Sequence, residues 1–121
     1  MLVRGDWAPD FVLPRQEGTP TRFYGWAGGR PTVLCFYTRQ GSTESLDTLV
    51  WFWDALTKGG PDAIAIFAVN EDAPSVNEQH AVKRGISFPI FSDTAGSVRA
   101  LYGADPRETM IIFVLGPNLR V

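Results

Sequence analysis

Three stretches of the chain are almost continuously apolar and rich in β-forming residues: Thr32-Val33-Leu34-Cys35-Phe36-Tyr37, residues 63–69 and residues 109–115. Runs of this length without polar alternation predict strands covered on both faces. Two shorter strands are predicted at Phe11-Val12-Leu13 and Thr21-Arg22-Phe23, joined by a turn at Gly18-Thr19-Pro20. Residues 42–58 read as a helix. Ser42 can cap its free N–H groups, Glu44 complements the positive end of its dipole, and Gly59-Gly60 stops it. A second helix with a polar face is predicted over residues 73–84, ended by Gly85, and a short third over residues 96–102. Residues 86–91 form an extended piece in which Pro89 argues against a central strand position. Strands alternating with helices predict an α/β fold. The early hairpin and the final turn at Gly116-Pro117-Asn118 predict a mixed sheet, and the helix after the first buried strand a right-handed crossover.

Composition narrows this picture. At 121 residues the chain forms one domain with one core, residues 1–121, and fits the N-terminal part of a longer protein. The net charge is −2 with acids and bases interspersed, so a nucleic-acid footprint of clustered Lys and Arg is not expected. No apolar run is long enough to span a bilayer and no signal-peptide pattern opens the chain, so no membrane contact and a cytosolic location are expected. The single cysteine, Cys35, excludes a disulfide within the chain, and the single histidine, His80, a histidine metal cluster. No metal or cofactor is expected.

Three segments, in order, carry a family resemblance. They are Gly5-Asp6-Trp7-Ala8-Pro9-Asp10-Phe11-Val12-Leu13, then Arg30-Pro31 with the strand that follows, then Phe88-Pro89-Ile90-Phe91-Ser92-Asp93 with Gly96 and Tyr102-Gly103. Together they resemble the peroxiredoxins, the alkyl hydroperoxide reductase and thiol-specific antioxidant group. The resemblance implies a thioredoxin-like fold, a mixed sheet flanked by helices. It places the active site where the strand ending at Tyr37 feeds the helix starting near Ser42. Family members continue past the final turn with another strand and a packing helix, which this chain, ending at Val121, does not include.

In that family a P-x-x-x-T-x-x-C motif holds the reacting cysteine, with a later arginine beside it. Here Thr38 stands at the proline, Ser42 at the threonine and Ser45 at the peroxidatic cysteine. For the arginine two alignments stay open. Arg107-Glu108-Thr109 fits the R-x-T order, whereas anchoring on the final turn puts Met110 there. The serine matters because an alcohol oxygen has no counterpart to the thiolate or to the reversible sulfenic acid. A helix terminus contributes only about 0.3–1 kcal/mol to an exposed charge, too little to produce an alkoxide at neutral pH.

Other residues are expected to be structural. Cys35, between Leu34 and Phe36 in a buried strand, reads as a small core residue, and His80, beside Glu78 and Gln79, as a solvated surface residue. Ser42, Thr43 and Ser45 could cradle a small anion, although capping is the simpler role. Leu49, Val50, Trp51, Phe52 and Trp53 are consecutive apolar residues on one helix and exceed a single core-facing stripe. Leu46, Leu49, Val50 and Trp53 make the inner face, while Trp51 or Phe52 is left for a second chain, a second domain or partial exposure. The expected function is a peroxiredoxin-like domain without peroxidase chemistry, acting as an interaction or accessory module. The competing expectation is a thiol-dependent peroxidase captured as a variant with serine replacing the cysteine at position 45.

Overall fold

A computed structural model describes residues 1–38, 42–56, 64–105 and 108–121, with the Ser42 side chain left out. The elements are β1 (Val12–Pro14), β2 (Pro20–Arg22), α1 (Phe23–Ala27), β3 (Thr32–Tyr37), α2 (Ser42–Leu56), β4 (Ala65–Asn70), α3 (Pro74–Arg84), β5 (Ile90–Ser92), α4 (Ser97–Leu101) and β6 (Met110–Leu115). A four-stranded sheet in the order β5-β4-β3-β6 forms the centre. β3, β4 and β5 are parallel, and β6 runs antiparallel to β3. The expected mixed α/β architecture is therefore present, and β5, the strand introduced by Pro89, lies at the sheet edge.

Side chains alternate across the sheet, as strand geometry requires. Leu34, Phe36, Phe67 and Val69 enter one core cluster, which is dominated by rings. Val33, Cys35, Tyr37, Ile66 and Ala68 enter the other, together with Leu46 and Leu49 of α2 and Ala81 of α3. Covering both faces explains why these strands read as uninterrupted apolar runs.

The early hairpin departs from expectation. β1 and β2 form their own two-stranded sheet, so the mixed character comes from β6 alone. Pro14 pairs with Pro20, and two prolines at one end of the ladder supply no backbone donors to extend it. Phe23, expected in a strand, begins α1. The cause is Asp10, whose carboxylate accepts the Tyr24 N–H at 2.9 Å and also pairs with Arg22. That external cap satisfies an orphan donor of the first turn.

The first and third sequence segments prove to be two halves of one joint. Tyr24 donates its hydroxyl to the Ala8 carbonyl, and Tyr102 donates to that of Pro9. Phe11 stacks on Phe23 at 4.8 Å and meets Phe91 edge-on at 5.3 Å. Asp93 caps α4 by accepting the N–H groups of Val98 at 3.3 Å and Arg99 at 2.9 Å. Gly103 is required here. Its φ is +64°, and a Cβ would lie 2.6 Å from the Met1 nitrogen.

Candidate functional site

β3 ends at Tyr37, and Thr38 continues its pairing by donating its N–H to the Thr109 carbonyl at 3.0 Å. Thr38 is half-buried. α2 then begins at Ser42, with Glu44 in its first turn. Ser45, one turn in, is 2 % exposed, so it faces the interior beside buried Leu46 rather than decorating the surface. The backbone therefore brings Thr38, Ser42 and Ser45 to one end of the sheet, at the junction of β3 and α2. Arg107 lies outside the described residues. Its competitor, Met110, is half-buried and sits directly opposite Tyr37 in the β3–β6 register, so the strand neighbouring this end presents a thioether.

Sequence reasoning missed a buried polar network at the same end of the sheet. Asn70, at the end of β4, donates to the Tyr37 hydroxyl at 3.1 Å, to Asp72 at 3.3 Å and to the Asn77 side-chain oxygen at 2.8 Å. Asn77 of α3 returns a bond to Asn70 at 2.8 Å and donates to the Ser92 hydroxyl at 2.9 Å. These side chains are buried, and mutual pairing offsets their desolvation. The available signal was an asparagine closing an otherwise apolar strand, followed seven residues later by another. The network joins β3, β4, α3 and β5 beneath the junction. Burial also pushes the Tyr37 hydroxyl well above its ordinary value, so it stays protonated.

Arg99 is a second feature missed. It is buried, and its guanidinium donates to the carbonyls of Asp105 at 3.4 Å and Glu108 at 3.2 Å. It thereby ties α4 to the chain leading into β6.

Cys35 is the chain's one thiol, and it is fully buried. Burial pushes it up to about 12, with a lesser opposing effect from the Arg99 charge. At neutral pH it is a thiol in a core, not a thiolate. Its neighbours from β6 and α2, Ile112 and Leu46 among them, are apolar. His80, expected on the surface, is half-buried, with Nδ1 3.4 Å from Arg84.

Of the apolar run on α2, Leu49 is fully buried, whereas Val50, Phe52 and Trp53 pack partly against the second core cluster. Trp51 is 65 % exposed and meets Phe52 edge-on at 5.4 Å. The expected division of the helix therefore holds. Among the described residues, no helix is long and apolar enough to cross a membrane, and no group of three His, Cys, Asp or Glu side chains is placed to hold a metal ion.

Comparison with known proteins agrees with this geometry. A protein of Mycobacterium tuberculosis (strain H37Rv) named as a candidate peroxiredoxin, Rv1608c, is 28% identical over 102 residues, covering 84% of this chain. The chain spans 66% of that protein's length. The crystal structure of peroxidoxin BcpB from Mycobacterium tuberculosis superposes with a TM-score of 0.81 at 25% identity, covering 100% of this chain and 83% of its own. A cysteine-to-serine mutant of PrxQ from Xylella fastidiosa superposes with a TM-score of 0.78 at 20% identity, covering 99% of this chain and 82% of its own, a likeness of fold. The family model described as the AhpC/TSA family matches residues 4–120. The fold, the joint between the two end motifs and this match agree: the chain is a member of the AhpC/TSA family that carries serine, not cysteine, at position 45.

Proposed function

We infer that this chain is a redoxin domain whose peroxidase chemistry is gone and whose fold serves as an interaction or accessory module. One observation carries the reading: the turn that should present a low-pKa thiolate presents buried Ser45, while the chain's single thiol is sealed in the sheet and raised to about 12. Peroxide reduction by a thiol needs a nucleophilic sulfur that becomes a sulfenic acid and is then reduced. Ser45 supplies an oxygen that cannot enter that cycle. Cys35 supplies a sulfur that cannot ionise at neutral pH or meet peroxide without opening the core.

The interaction role rests on α2. Trp51 is exposed on a helix whose opposite face is already satisfied by the core, and tryptophan is favoured at the centres of protein interfaces. The partner is a second copy, a second domain or another protein meeting that indole. The test is hydrogen peroxide consumption by the purified chain with dithiothreitol or a thioredoxin system. The uncatalysed rate is expected, and turnover that scales with protein and is abolished by thiol alkylation would refute the reading.

A further inference from the structure

A cavity of about 250 Å3 lies between the first turn of α2 and the last turns of α3. Thr43, Gln79, His80, Lys83 and Arg84 line it, so every lining side chain named is polar and none is a carboxylate. Lys83 and Arg84 occupy the last turn of α3, where cations offset the negative end of the dipole. That reason does not extend to His80, one turn earlier, or to Thr43, which comes from a different helix.

The charges there are only partly compensated, by exposed Glu44 in the first turn of α2 and by Asp47. The Arg84 side chain is only 16% exposed, yet its carboxylate partner Asp47 is 68% exposed and 3.4 Å away, near the limit of a hydrogen bond. On its other side, Arg84 lies 3.4 Å from His80 Nδ1. The imidazole adds a ring nitrogen to the same polar cluster as the guanidinium. The cavity thus gathers ammonium, guanidinium, imidazole, amide and hydroxyl donors beside the positive end of a 15-residue helix.

We propose that this cavity binds a phosphate group, either free or as part of a small phosphate ester. A tetrahedral dianion matches a forked guanidinium flanked by an ammonium, and it would replace the long Asp47 contact with charge-assisted bonds. The site shares the first turn of α2 with Ser45, which does not line it, and does not depend on the redox reading.

Titrating 15N-labelled protein with inorganic phosphate, and separately with glycerol 3-phosphate, at constant ionic strength tests this. Saturable shifts are expected at the amides of Thr43, His80, Lys83 and Arg84. Lys83→Gln and Arg84→Gln should each weaken binding about tenfold, the effect of losing one charge-assisted bond. Tighter binding of the ester assigns the site to esters, and equal binding to free phosphate. Shifts that rise linearly without saturation, that chloride reproduces, or that survive both substitutions would overturn the proposal. Lys83 is exposed, so Lys83→Gln leaves the fold intact and keeps the test decisive.

Discussion

Two regions of this domain can be set side by side: the joint between the ends of the chain, and the junction of β3 with α2. In the joint, each motif residue still performs a structural task that only its own chemistry suits. Asp10 caps α1, Asp93 caps α4, Tyr102 anchors Pro9, and Gly103 lets the N-terminus pass. At the junction, the positions to which the family resemblance assigns chemistry hold Thr38 and Ser45, and Met110 lies opposite Tyr37. The fold tolerates this because a serine fits where a cysteine would, and the half-buried Met110 thioether packs without needing a charged partner. Folding and catalysis therefore draw on different residues of one motif set, and the second group can change while the first is kept.

If that contrast is right, damage to the joint should cost stability far more than changes near the junction's surface. The largest effect is expected from Phe11→Ala, which removes a buried ring stacked on Phe23. Denaturant unfolding should show a loss of about 3–5 kcal/mol. Next comes Asn77→Ala, which removes both bonds between Asn77 and Asn70 and the bond to Ser92, with an expected loss of about 2 kcal/mol in the same measurement. A loss no larger than that of an exposed residue would mean that the network beneath the junction is dispensable.

Cys35 gives a smaller, pH-dependent effect. The folded chain holds the thiol proton up to about 12, whereas the unfolded chain releases it from the ordinary value of 9.0. Between these values the unfolded state binds fewer protons, so stability falls as pH rises, by at most about 1.4 kcal/mol per pH unit. The contribution is fully present below 9.0. Cys35→Ala should flatten that decline without abolishing it, because burial also raises Tyr37 and Tyr102. An unchanged slope would show that the thiol is not sealed. The smallest effect belongs to Trp51→Ser, which should shift stability by no more than about 0.5 kcal/mol yet weaken any self-association seen by sedimentation.

Much of the fold was legible in the sequence because its signals are local. Continuous apolar runs marked β3, β4 and β6, and Gly85 marked the end of α3 with a left-handed cap. What escaped depends on partners distant in sequence. α1 exists because Asp10 reaches Tyr24. The outer edge of β5 is satisfied by the Gln16 amide, which accepts from Ile90 at 2.8 Å and donates to Phe88 at 3.1 Å. Neither contact leaves a trace in periodicity. The site was legible as a set of positions, Thr38, Ser42 and Ser45, because the motif is contiguous. Its surroundings, Asn70, Asn77 and Ser92, come from three other elements and were not. The inward orientation of Ser45 likewise follows from how α2 packs.

The proposed loss of peroxidase chemistry requires that no thiol of the chain be available to peroxide. The most direct test is to treat the folded protein with hydrogen peroxide in the presence of dimedone and weigh it intact. No dimedone adduct is predicted, because the only thiol is the buried, protonated Cys35. A stoichiometric adduct on Cys35 in the folded chain would contradict the account.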